Sequence, residues 1–179
     1  MLIATPRQLE TTPENPVLDA DKIISDIRTN ANKILFPAIV DIKLAEFLGY
    51  LIGDGHLDEH KLEFTNSNQY LREYFSRISR ELFDVNFREI KSRNTFNIQI
   101  TSRNLNRAIN QLFEIPFGDK SSSVKIPQVI LRSNNKILAS FIRAYFDCDS
   151  YISPKKREVE LATASKIMAM QMQMALLRF

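Results

Sequence analysis

A chain of 179 residues with 44% hydrophobic side chains holds enough apolar material for one domain with its own core. It has no run near the ~20 uncharged apolar residues of a membrane span, and its single cysteine excludes an internal disulfide and fits a reducing, cytoplasmic setting, organelles included. The net charge of +3 is unevenly spread: residues 1–60 carry 5 basic and 10 acidic side chains, 61–110 carry 9 and 5, and 111–179 carry 10 and 6. An acidic front on a basic body suits a polyanion partner, although a solvated surface gives the same count.

Residues 1–41 read as an arm. Pro6, Pro13 and Pro16 break up 1–20, and Ile23, Ile24, Ile27 and Ile34 give one side to a short helix from Lys22 to about Ile34. Residues 42–115 form a first unit. Asp41 caps a helix over 42–53, Leu57 to His60 is a turn, and Leu62 to Thr65 alternates as a strand. From Gln69 to Phe83, Leu71, Tyr74, Phe75, Ile78 and Leu82 recur at helical spacing. Asp84 to Ile90 and Thr95 to Ile100 alternate as a hairpin broken at Ser92-Arg93-Asn94, and Asn104 to Phe113 is helical again.

A connector over 116–134 includes a short helix from about Gln128 to Arg132, and a second unit spans 135–179. That unit opens with a helix over roughly 135–148. A strand near Val159 to Thr163 follows, then a helix from Ile167 to Phe179 whose methionines 168, 170, 172 and 174 are expected to fill core gaps.

The two opening helices repeat each other. Glu46 to Gly55 and Phe141 to Ser150 align without a gap at a spacing of 95, which sets Gly49 on Ala144, Tyr50 on Tyr145, Gly53 on Cys148, Asp54 on Asp149 and Gly55 on Ser150. Small residues at i and i+4 make a smooth strip on one helix face, which lets two helices approach closely. Three of the four glycines of the chain lie here, although glycine costs about 1 kcal/mol inside a helix. Thr163 to Lys166 is set on Thr65 to Asn68 at a spacing of 98, which puts Phe179 on Glu81 and leaves the hairpin of the first unit without a second copy.

Two such helices, each ending on an aspartate and heading an α-β-α-β-β-α unit, resemble the LAGLIDADG homing endonucleases of the double-motif, dodecapeptide type. The residues that carry the resemblance are Leu48 to Gly55, Ile142 to Ser150, and the connector from Phe117-Gly118-Asp119-Lys120 to Lys125-Ile126-Pro127. It implies an α+β fold of two pseudo-two-fold units with the motif helices packed at the centre through Gly49, Gly53, Ala144 and Cys148, the second unit being truncated. It also implies Mg²⁺ at Asp54 and Asp149, next to the preceding Gly53 and Cys148, and site-specific cleavage of both strands of a long, pseudo-symmetric DNA target. A monomer is expected if the second unit is completed, and a second chain or fragment otherwise.

Phosphodiester hydrolysis needs metal ions that activate water and neutralise charge, and Mg²⁺ takes one or two carboxylates plus retained waters. Lys120 and Lys125 are the lysines that could act beside the acids; plain phosphate contact is the competing role. On the hairpin, Arg88, Lys91, Arg93, Asn94, Asn97 and Gln99 could meet DNA, since Arg, Asn and Gln read base edges and Lys meets phosphate. Which alternate set faces the groove is open at this point. Ser150 in place of a glycine is expected to change the turn after the acid. Cys148 reads as a packing residue, and His56 as an exposed turn residue.

No splicing nucleophile opens the chain and no His-Asn pair closes it, so a free-standing or intron-encoded enzyme, or the endonuclease portion of an intein, is expected. The alternative is a non-cleaving module on the same scaffold, either an RNA maturase or a DNA-binding regulator.

Overall fold

The computed structural model describes residues 15–18, 34–92 and 95–179. The expected Lys22 helix and most of the arm lie outside them. Val17 bridges to Ile39 and the Leu18 N–H donates to Ala38 O at 2.8 Å, so this piece of the arm runs antiparallel to the entry of the first helix.

Helix α1, Ile42–Asp54, starts where Asp41 Oδ1 accepts from the Leu44 N–H at 2.8 Å. It is apolar almost all round, which marks a helix buried on every side. Leu44, Phe47, Leu48 and Leu51 are fully buried. Two short strands follow, β1 (Gly55–Leu57) and β2 (Leu62–Asn66), then α2 (Gln69–Phe83). The turn between β1 and β2 is held by Asp58 Oδ1, which accepts from the His60 and Lys61 N–H groups at 2.6 and 2.8 Å. Strand β1 is an addition to the sequence reading, because three residues are too few to show alternation.

Asp84 ends α2 in the left-handed region, at φ 51°, so the next strand starts later than expected. The hairpin is β3 (Phe87–Ser92) with β4 (Thr95–Ile100), and α3 (Arg103–Phe113) closes the unit. The sheet order is β1-β2-β4-β3, all antiparallel. Its inner face packs against α1 and α2: Phe64 stacks on Phe75 at 4.5 Å between ring centres, and Phe75 on Phe47 at 5.2 Å.

The connector carries α4 (Gln128–Arg132) into α5 (Asn135–Asp149), whose start is capped by Asn134 accepting from the Ile137 N–H at 3.1 Å. Helices α1 and α5 form the most extensive interface between elements among the described residues. The second unit continues with β5 (Ser150–Ser153), β6 (Glu158–Leu161) and α6 (Lys166–Leu176), and its sheet has two strands. The fold is therefore α+β with antiparallel sheets.

Strand pairing corrects the spacing of the repeat beyond the helices. Gly55 pairs with Phe64 and Leu57 with Leu62; Ser150 pairs with Leu161 and Ile152 with Val159. Phe64 therefore matches Leu161 at a spacing of 97, not 98. The same spacing carries the cap Asn68 onto Ser165, and buried Leu71, Phe75 and Ile78 onto buried Met168, Met172 and Ala175. Met168 and Met172 are core residues, whereas Met170 and Met174 stand 58% and 53% exposed on the other side of α6. Those two correct the expectation that all four methionines fill the core.

Candidate functional site

Gly49 and Gly53 set the separation of α1 and α5. A Cβ on Gly49 would lie 2.6 Å from Phe141 O and 2.7 Å from Ala144 Cβ, and one on Gly53 would lie 2.6 Å from Cys148 Cβ. No side chain tolerates such contacts without a shift of the helices. Each glycine thus faces the residue 95 positions later, and the two helix ends arrive together. Both leave their helix alike. Gly55 (φ −89°, ψ 159°) and Ser150 (φ −106°, ψ 154°) are extended, and their N–H groups donate to Leu51 O and Phe146 O. Ser150 therefore leaves the turn geometry unchanged, contrary to the expectation from its missing glycine.

Asp54 and Asp149 sit half-buried at these two ends. Asn66 Nδ2 donates to Asp54 Oδ2 at 2.6 Å. Burial pushes the Asp54 carboxyl above the usual aspartate range. Hydrogen bonds from Asn66 and the Cys148 thiol oppose this, Asp149 adds to it, and Lys120 opposes it. Burial, then the Asp54 and Asp149 charges, hold the Cys148 thiol protonated, so it is a donor to Asp54 and not a nucleophile.

Lys120 is buried, and its Nζ donates at 2.6 Å to Ile52 O, a carbonyl in the last turn of α1 where helical partners run out. Burial pulls the Lys120 pKa down, against the attraction of Asp149 and Asp54. The connector is fixed there by Gly118, whose N–H donates to Leu57 O at 2.9 Å from a left-handed conformation at φ 80°. Lys125 goes elsewhere: it is half-exposed and paired with Glu114. Of the two lysine candidates, the structure brings Lys120 to the acids.

The sequence reading missed several partners. Arg143 and Tyr74 both donate to the buried Glu46 carboxylate, and Tyr50 Oη donates to Asp147 Oδ2 at 2.9 Å. Burial and then Glu46 push the Tyr74 hydroxyl up to about 12. These bonds tie α1 and α2 to α5 and fix the register that sets Asp54 beside Asp149. Opposite charges on two apolar helices, at Glu46 and Arg143, were the available signal.

The strand registers decide which side chains share the open face of the four-stranded sheet. Row by row, His56 opposes Glu63, Glu63 opposes Gln99, and Gln99 opposes Arg88; in the next row Thr65 opposes Asn97. Arg88, Asn97 and Gln99 therefore point the same way, together with His56, which is a strand residue and not a turn residue. Lys91 pairs with Phe96 and lies on the helix-covered face, with its Nζ 6.0 Å from the Phe96 ring centre. That separates it from the other three. Arg93 and Asn94 lie outside the described residues.

Two carboxylates on adjoining helix ends, with few other donors, fit a hard cation that keeps most of its waters. Among the described residues no three His, Cys, Asp or Glu side chains gather into a closed metal cage.

Residues 136–179 match the model of the LAGLIDADG-like domain. The matched stretch is less than half of the chain. It covers α5 through α6, the second unit with its acid Asp149. Among solved structures, a variant of I-DmoI in complex with its target DNA and manganese superposes with a TM-score of 0.56 at 14% identity, over 75% of this chain and 73% of that one. Full-length DUF199/WhiA from Thermatoga maritima gives 0.50 at 10% identity, over 93% and 51%. At these identities the likeness is one of fold.

Sequence relatives are nearer. A replication factor C small subunit of Methanocaldococcus jannaschii is 43% identical over 76% of this chain, and an A-type ATP synthase protein of Pyrococcus abyssi is 35% identical over 75%. A replication factor C small subunit of Thermococcus kodakarensis is 35% identical over 97%. The chain spans 7%, 13% and 21% of the lengths of these proteins. No described helix is long and apolar enough to cross a membrane.

Proposed function

We propose that this chain is a double-motif, divalent-metal-dependent endonuclease of homing type, cutting both strands of a specific DNA site. The observation that carries the reading is the meeting of Asp54 and Asp149 at two equivalent helix ends, with Lys120 buried against them. In this reading Asp54 and Asp149 would hold Mg²⁺, which supplies charge neutralisation and an activated water at the phosphodiester. Asn66 and the Cys148 thiol orient Asp54, and Lys120 offsets the negative charge of the acids and of an incoming phosphate. Two acids related by the pseudo-two-fold suit two cuts, one per strand, in a long pseudo-symmetric duplex. The open sheet face, with Arg88, Asn97 and Gln99, is the surface that would meet the groove.

The relatives support a mobile origin. Replication factor C and ATP synthase do unrelated work, yet each carries a stretch like this one as a small fraction of its length. A piece shared by such hosts within their polypeptides behaves as an in-frame insert, which favours an intein-borne endonuclease over an intron-borne one.

Selection from a pool of randomised duplexes tests the reading. In Mg²⁺ the wild type should release cut products sharing one sequence, in EDTA it should bind that sequence uncut, and Asp54→Asn should bind without cutting in either buffer. A wild type that binds in Mg²⁺ yet cuts no more than Asp54→Asn would make the chain a non-cleaving module on this scaffold.

A further inference from the structure

The open sheet face holds one acid in a place that decides how its amides point. Glu63 is 16% exposed in its side chain, and its two oxygens are committed differently. Oε2 meets Lys61 Nζ at 2.9 Å. Oε1 accepts from Asn97 Nδ2 at 3.2 Å and from Gln99 Nε2 at 3.1 Å. An amide that turns its nitrogen to a carboxylate turns its oxygen away from it. Reversing either amide would set oxygen against oxygen with no proton between them, and Lys61 keeps the carboxylate from rotating away. Asn97 Oδ1 is buried with no hydrogen-bond partner among the described residues, so Gln99, and not Asn97, is the amide that can turn its oxygen to a ligand.

We propose that Glu63 is a specificity-determining residue that, through Gln99, makes this face select a base with an amino group in the major groove. The proposal rests on the DNA-binding reading above. Adenine N6 and cytosine N4 are donors in that groove, whereas guanine O6 and thymine O4 are acceptors. An outward amide oxygen beside a carboxylate accepts from the first pair and repels the second. Arg88, opposite Gln99 in the register, supplies the donor for a neighbouring keto base. The strip therefore alternates acceptor and donor at adjacent positions, and Glu63 fixes which is which.

The test is selection of bound duplexes from a randomised pool by the wild type, Glu63→Met and Glu63→Lys, each checked for folding by its thermal transition. The wild type should prefer adenine or cytosine over guanine or thymine by roughly tenfold at one position of the half-site. Glu63→Met frees the Gln99 amide to reverse, and the preference there should fall below about twofold while the other positions keep theirs. Glu63→Lys presents a donor, turns the Gln99 amide nitrogen outward, and should invert the preference to guanine or thymine. If Glu63→Lys does not fold, Glu63→Met alone decides. An unchanged preference in the folded variants overturns the role of Glu63 and leaves the DNA-binding reading intact. A wild type that enriches no sequence overturns both.

Discussion

At the scale of single residues, Asp54 shows the conflict between stability and chemistry. Burial and Asp149 raise its pKa above the ordinary 3.8 despite two hydrogen bonds and Lys120. For an acid, a raised folded-state value means that the native protein binds more protons than the unfolded chain between the two values. The slope of stability with pH is then negative in that window, and the ionised carboxylate weighs against the fold at neutral pH. Asp54→Asn removes that charge and can still accept from Asn66 through its oxygen. It should raise Tm slightly at pH 7, with the gain shrinking as pH falls towards 4, while cleavage drops by about 10³-fold or more. Calorimetry across pH and a cleavage time course read the two effects separately. Lys120→Met should behave otherwise. It removes a group that pulls the Asp54 pKa down, so the acid limb of the rate–pH profile should move to higher pH. The rate itself should fall by roughly 10²-fold from the lost charge stabilisation. A profile that keeps its acid limb in place would assign Lys120 to capping α1 through Ile52 alone.

At the scale of elements, the α1–α5 contact was the most readable part of the chain, because small residues at i and i+4 in two copies carry a geometric demand. The sequence could not say which atoms make the closest approach, and that sets the outcome of substitution. Gly49→Ala drives its methyl against a backbone carbonyl, Phe141 O, whereas the close contacts of Gly53→Ala are Cys148 side-chain atoms, with Tyr145 Cδ2 at 3.7 Å. Each gains about 1 kcal/mol of helix propensity and loses about 1–3 to overpacking, for a net loss of up to roughly 2 kcal/mol. Moving the side chain across the axis should separate them. Gly53→Ala with Cys148→Gly should recover part of the lost stability in denaturant titration, and Gly49→Ala with Ala144→Gly should not, because the Phe141 carbonyl stays. Elsewhere the element reading failed for physical reasons. β1 has three residues and shows no period, and the spacing of 98 followed the hydroxyls of Thr163 and Ser165 where buried apolar residues set the register. The partners Asn66 and Glu63 were invisible because side-chain hydrogen bonds across strands leave no trace in periodicity.

At the scale of the whole molecule, the described residues of the first unit build a four-stranded sheet and those of the second a two-stranded one, and equivalent residues therefore live in different surroundings. Leu57 and Ile152 hold the same place in β1 and β5, each pairing with the apolar residue of the next strand. Leu57 is fully buried and Ile152 is 66% exposed. Leu62 and Val159 repeat the contrast, at 0% and 55%. In the first unit β4 pairs along β2, with Ile100 opposite Leu62 and α3 following; among the described residues of the second unit nothing pairs along the outer side of β6. The alternation in sequence read Leu62 and Val159 alike, since pattern reports which face a residue takes and not whether that face is covered. The energetic consequence is direct. Leu57→Ala should cost about 2–5 kcal/mol as a core truncation, and Ile152→Ala should stay within about 0.5 kcal/mol. Among the described residues the outer edge of β6 carries exposed apolar side chains and no paired strand, which invites pairing between copies. Sedimentation should accordingly show concentration-dependent association that Val159→Lys reduces while leaving Tm in place. Equal costs for Leu57→Ala and Ile152→Ala would mean that the second sheet face is covered in solution as the first is, and the asymmetry between the halves would not hold.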